Sequence, residues 1–260
     1  HTPTRRQRQM CIRDSSSSDR IVSIHSEDED IIKLRKKFIK QGNVHSHPEW
    51  RNVECAMSST RRVVKIAERC NKKIHVLHVT TKEEVDFLAM HKKNVTFETT
   101  PQHLTLFAPD CYDKLGTYAQ MNPPLRSKEH YDRLWVAIKN NIVDVLGSDH
   151  APHLKSNKDK AYPNTPSGMP GVQTIFPIMI DHVNNGKLTL SQLVNLMCEN
   201  PCRIFGIKNK GFIKEGYDAD LTIVDMSKKV TIKNEMMASK CGWTPFHNHK
   251  ITGFPVGTIV

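Results

Sequence analysis

The sequence predicts an α/β fold built of parallel βαβ units, about half of an eight-stranded barrel, and three observations predict it. Short apolar runs alternate with amphipathic helical stretches over most of the chain. A stretch with Tyr131, Leu134, Trp135 and Ile138 at i, i+3, i+4, i+7 spacing leads straight into the run Ile142-Val143-Asp144-Val145-Leu146. That run then closes on Gly147-Ser148-Asp149-His150-Ala151-Pro152-His153, a carboxylate flanked by imidazoles and then a proline that stops further strand pairing. In an α/β barrel the reactive groups stand where parallel strands end, so Asp149 would face the barrel mouth. Only about four strands can be counted, where a barrel needs eight.

Composition narrows the class. With 260 residues, 38% of them hydrophobic, the chain can bury a real core. No apolar run approaches the roughly 20 residues that cross a bilayer, so no membrane partner is expected and a cytoplasmic location is the default. The seven cysteines are scattered and contain no Cys-x-x-Cys pair, which reads as reduced thiols. A formal charge of +11 invites a nucleic-acid reading. The basic residues are spread along helices, as in Ile31-Ile32-Lys33-Leu34-Arg35-Lys36-Lys37, without aromatic interleaving, which argues for solvated faces and against nucleic acid. A positive field favours an anionic substrate.

Residues 1–19 carry four arginines and a serine run without strand or helix periodicity, and read as a tail outside the fold. Ile21 to Ile24 form a short strand ending in His25. His45 and His47 have the His-x-His spacing that could offer a metal two imidazoles, but no apolar strand precedes them. They are placed in the loop before a helix over residues 53–70. Ile74-His75-Val76-Leu77-His78-Val79 is a second strand, on which histidines three apart face opposite sides. Thr81 with Glu84 forms a capping-box pattern that starts the next helix. The third strand, residues 94–99, continues into Thr100-Pro101-Gln102-His103. Asn122-Pro123-Pro124 holds an extended segment that presents an amide able to donate and accept. Two more helices follow, near residues 172–183 and after Thr189, and the chain ends in short β segments.

Residues 147–153 closely resemble the strand-eight signature of the dihydroorotases, in the cyclic amidohydrolase group. Met121-Asn122-Pro123-Pro124-Leu125-Arg126 and Pro166-Ser167-Gly168-Met169-Pro170-Gly171 each resemble another motif of that family, in the right order. The resemblance implies a partial TIM-type (β/α)8 amidohydrolase barrel, about its second half, over residues 20–205, and a small C-terminal β-domain segment over residues 206–260. It assigns metal binding to His25, from a string like the family's His-x-Glu-Asp, and to His78, from a string like the strand-six element, leaving His75 structural. Asp149 would bind metal and act as the catalytic proton carrier. Asn122, His153, Ser167 and Gly168 would contact substrate, and His103 would lie behind the ligands or on the substrate side. The cofactor implied is Zn2+, one or two ions, which lowers the pKa of bound water toward about 7 and polarises a carbonyl.

The implied reaction is the reversible interconversion of dihydroorotate and N-carbamoyl-aspartate in pyrimidine biosynthesis. The same barrel and metal also serve hydantoinases and allantoinases, and a non-catalytic dihydroorotase-like scaffold would share the fold. A homodimer or a transcarbamoylase partner fits the resemblance. The family's first-strand His-x-His, the substrate arginine that follows it and the strand-four bridging residue would all lie upstream of His25, where nothing in residues 1–24 fits them. The chain is therefore expected to be a fragment, inactive and poorly soluble by itself, with open sheet edges at its first and fourth strands.

Overall fold

The structure, a computed structural model, describes residues 18–260. The expected tail over residues 1–19 therefore falls, apart from Ser18 and Asp19, outside the described residues. Four short strands, β1 (Val22–Ile24), β2 (Ile74–Val76), β3 (Val95–Thr99) and β4 (Val145–Leu146), form one parallel sheet in chain order. Val22, Ser23 and Ile24 lie opposite Ile74, His75 and Val76, and these in turn opposite Val95, Thr96 and Phe97. Glu98 and Thr99 lie opposite Val145 and Leu146.

The strands are shorter than the apolar runs suggest, and side chains explain where they stop. Asp144 accepts the Phe97 backbone N–H through its carboxylate at 2.8 Å, so a side chain replaces the ladder just before β4. His78 has φ of +36°, which takes the chain out of strand geometry beyond Val76. Alternation along the strands divides the sheet into two faces. Ile24, Ile74, Val76, Val95 and Phe97 belong to the main apolar cluster, whereas Ser23, His75, Thr96 and Glu98 make the other face polar.

Helices α1 (Val53–Arg69), α2 (Lys82–Ala89), α3 (Lys128–Lys139) and α4 (Ile175–Asn184) supply the layer that covers the apolar face. The Asn52 side chain accepts from the Cys55 N–H at the start of α1, and Thr81 accepts from the Glu84 N–H at the start of α2. Glu84 does not complete a capping box. Its carboxylate takes the hydroxyls of Thr81 and Thr60, both at 2.9 Å, because it is buried against α1. The reciprocal box does form at Thr189 and Gln192, ahead of Leu190–Val194. Leu134, Trp135 and Ile138 of α3 are buried as their spacing predicts, with Tyr131 partly buried beside them.

The C-terminal region is a single long antiparallel ribbon, β5 (Leu221–Thr231) with β6 (Lys250–Ile259), rather than several short segments. It lies on α4, where the Thr252 N–H donates to Asp181 at 2.7 Å and Asn184 donates to the Thr252 and Met226 carbonyls. Trp243 is not in a strand. It is buried in a second cluster with Tyr112, Met121, Tyr162 and Met169, under the loops that follow β3 and β4.

Gly171 sits where two of these loops touch. A Cβ there would collide with the Ser148 carbonyl oxygen and stand 2.6 Å from the Gln102 amide nitrogen, which itself donates to that carbonyl. Gly171→Ala should therefore push residues 148–150 away from the end of β3 and destabilise the full-length protein by roughly 1–3 kcal/mol. Urea unfolding checks this, and an unchanged midpoint would show that the contact is not tight.

Candidate active site

Parallel strands deliver their C-terminal ends to one rim, and there the structure gathers His25 after β1, His78 after β2, His103 after β3 and Asp149 after β4. His25 Nδ1 and His78 Nε2 face each other at 2.9 Å, with the rings 4.6 Å apart and edge-on. His75 in β2 and His78 just beyond it therefore divide the work differently from simple strand alternation. His75 is on the polar face, bonded to the Thr96 hydroxyl at 2.8 Å and to Glu98 at 3.2 Å, while the turn at His78 swings its ring toward His25.

Glu27 decides how His25 is presented. The carboxylate accepts from His25 Nε2–H at 3.0 Å, which leaves Nδ1 with a lone pair directed at His78. Glu27 is 1% exposed. Burial by itself would raise its pKa, but the Arg51 guanidinium, followed by His25, holds it well below the usual carboxylate range. Burial also pushes the pKa of His78 well down, and the neighbouring His25 and His103 add to the effect. His78 is thus neutral, and its Nδ1 is buried without a hydrogen-bond partner.

Asp149 also has a positive φ, +40°, outside ordinary strand or helix geometry. Its pKa is pushed up to about 6, chiefly by burial, with His25 opposing and Glu98 adding to the rise. The Glu98 carboxylate lies directly against Gly147, in space that any side chain at that position would need.

The remaining expected site residues lie on the segments that follow β3 and β4. Asn122 Oδ1 accepts from His47 Nε2 at 3.0 Å, so the amide NH2 is what Asn122 offers outward. His153 Nε2 donates to the Ser167 carbonyl at 3.1 Å, and the His153 carbonyl accepts from Trp243 Nε1 at 2.7 Å. Gly168 has φ of +143°, and a Cβ on it would stand 2.6 Å from the Ala151 carbonyl oxygen and 3.1 Å from His153 Nε2. His103 is buried and spends its ring nitrogens on the Thr100 hydroxyl and the Pro123 carbonyl, which places it behind the Asn122 segment.

Zinc of tetrahedral geometry holds neighbouring nitrogen ligands about 3.3 Å apart, close to the His25 to His78 separation. This pair, with one tautomer imposed by a carboxylate, fits one side of a metal site. Among the described residues no group of three or more His, Cys, Asp or Glu side chains is placed to hold a metal ion. The structure thus joins His25 to His78 and sets Asp149 beside them without closing a cage.

Sequence patterning offered no local sign of three supports. His47 belongs to the His-x-His pair that lacks a strand context; rather than lying in a loop it opens the short helix His47–Trp50, and it is fully buried against Asn122 while His45 pairs at the surface with Asp113. Arg51 reaches Glu27 from 24 positions away. Lys158, five residues after His153, is completely buried. Glu27 was detectable, since it stands two residues after His25.

The chain matches the amidohydrolase family over residues 4–246, a match that begins within the segment lacking periodicity. It is 35% identical to a dihydroorotase of Halobacterium salinarum across 95% of this chain and 57% of that protein. It is 38% identical to a dihydroorotase of Pyrococcus furiosus across 92% of this chain and 53% of that protein. Among solved structures it superposes on an L-hydantoinase (dihydropyrimidinase) from Arthrobacter aurescens with a TM-score of 0.92 at 29% identity, covering 96% of this chain and 58% of that one. A dihydropyrimidinase from Brevibacillus agri gives 0.90 at 25% identity, covering 98% and 58%. The chain spans a little over half the length of the curated relatives it matches.

The buried histidines make stability sensitive to acid. Burial lowers the pKa of His47 from 6.5 to about 4, with Arg51 adding to the fall. The unfolded chain therefore takes up this proton first, so the His47 contribution is complete above pH 6.5 and is lost as the pH falls toward 4. The loss should be on the order of 2–3 kcal/mol. His47→Gln keeps a donor toward Asn122 but cannot titrate, and should flatten this part of the pH dependence when urea midpoints at pH 7.5 and 4.5 are compared. An unaltered slope would show that His47 is not the group responsible.

Proposed function

The chain belongs to the amidohydrolase family, and from that premise we propose that the full-length protein is a zinc-dependent dihydroorotase, a cytoplasmic enzyme of pyrimidine biosynthesis. The observation that carries the reading is the pair of facing imidazole nitrogens, His25 Nδ1 and His78 Nε2, held by Glu27 beside a half-buried Asp149. The relatives named dihydroorotase and the motif Asn122-Pro123-Pro124-Leu125-Arg126 favour dihydroorotate as substrate. The overlay on an L-hydantoinase supports hydantoin-like rings as the second candidate, since both substrates present a cyclic amide.

His25 and His78 would hold the metal, which when bound supplies an activated water and polarises the scissile carbonyl. The chain's own groups do the rest. Asp149, with a pKa near 6, is suited to accept the proton of the attacking water and to return it to the ring nitrogen as the C–N bond breaks. One water is consumed, one carboxylate and one ureido N–H are formed, and one proton is released to solvent. Asn122 points an NH2 donor toward a ring carbonyl, because His47 occupies its oxygen. His153 has already spent its Nε2 on the Ser167 carbonyl, so Nδ1 is the ring nitrogen left to meet the substrate carboxylate. The backbone at Ser167 and Gly168 borders the ring.

Asp149→Asn in the full-length protein should stay folded yet lose at least about a hundredfold in turnover, since the amide loses both the ligand charge and the ability to carry the proton. Near-normal turnover in a folded variant would remove Asp149 from this role. Asn122→Ala and His153→Ala should keep their zinc and lose kcat/KM for dihydroorotate. Loss of zinc from either would make that residue a ligand instead. Relative turnover of dihydroorotate, hydantoin and allantoin by the wild-type enzyme decides between the two substrate readings.

A further inference from the structure

Lys158 closes the short helix Lys155–Lys158 and has no exposed surface. An ammonium group is rarely buried without a carboxylate, because desolvating a charge is costly. Its three protons go instead to three carbonyls, those of Gln120 at 3.1 Å, Pro166 at 2.9 Å and Gly168 at 3.3 Å. The Trp243 ring lies 5.8 Å from Nζ and shields the group. Burial lowers the pKa of Lys158 to about 8, which leaves it charged at neutral pH.

The three acceptors belong to two separate stretches of chain, one just before Asn122 and one through Ser167 and Gly168. Other bonds join these stretches as well. The Gly168 N–H donates to the Gln120 carbonyl at 2.9 Å, and the Gln120 amide donates to the Thr165 carbonyl at 3.1 Å and to the Ser167 hydroxyl at 2.9 Å. Carbonyl oxygens repel one another when drawn to a common point, and the Lys158 ammonium offsets that repulsion by donating to all three. A neutral side chain of equal length would fill the space and leave three buried carbonyls without that donor.

We propose that Lys158 is a positioning residue, whose ammonium sets the gap between Asn122 and the Ser167–Gly168 backbone and thereby the width of the slot that receives the substrate ring. This rests on the reading of those residues as substrate contacts. It gives a use to a charge that no step of the hydrolysis requires.

The test uses full-length, metal-loaded protein and Lys158→Met, which keeps the length and the apolar stem. KM for dihydroorotate should rise at least about tenfold with kcat changed less than about threefold, because a looser slot weakens binding before and during the reaction alike. Hydrogen exchange at the Gly168 amide should speed up at least about a hundredfold, with exchange in α1 and zinc content unchanged. An active wild type whose variant keeps both its KM and its Gly168 protection overturns the proposal and leaves the functional reading intact. A wild type that fails to turn over dihydroorotate, while the variant loses Gly168 protection, overturns the functional reading and leaves the clamp. Should Lys158→Met not fold, nitrogen-15 spectra of wild-type protein decide the matter. A slowly exchanging lysine Nζ signal is expected, and only fast-exchanging ones would overturn the clamp.

Discussion

Glu27 lies buried between the Arg51 guanidinium and the His25 ring, and this three-residue chain governs what the rim of the sheet can do. A carboxylate kept ionised in the interior needs a fixed cation, and Arg51 supplies it from the turn before α1. The charge then pins the proton of His25 to Nε2 and bares Nδ1 toward His78. Arg126 continues the scaffold by donating to the Arg51 carbonyl at 2.6 Å and to the Thr80 hydroxyl at 3.2 Å. The motif that carries Asn122 is thus tied to the element that orients His25.

The sheet has a second constraint in its division of faces. Apolar residues on one face meet α1 to α4, while His75, Thr96 and Glu98 form a hydrogen-bonded row on the other. Phe205 covers the His75 ring at 5.3 Å. Glu98 ends this row beneath Gly147, so the same carboxylate that bonds His75 also raises the pKa of Asp149. Polar contacts inside the sheet therefore reach the group that would handle the proton.

The proposed substrate wall depends on buried polar groups rather than on secondary structure. His47 holds Asn122, His103 holds the Pro123 carbonyl, and Lys158 holds Gln120, Pro166 and Gly168. Each satisfies backbone or amide groups that have no strand or helix partner, and each has its pKa lowered by burial.

Local sequence determined the alternation of strands and helices, the caps at Thr81 and Thr189, and the placement of His25 and Asp149 at strand ends, because periodicity and capping act over a few residues. Asn122, His153, Ser167 and Gly168 were marked only through strings that resemble dihydroorotase motifs. Only the tertiary structure decided that His78 turns toward His25 while His75 faces Glu98, since a single positive φ overrides the two-residue period. It alone revealed Arg51 on Glu27, His47 on Asn122 and Trp243 on His153, contacts spanning 24, 75 and 90 positions. Such pairs leave no local pattern. They form because a buried charge or polar group must find its partner wherever the folded chain brings one within reach.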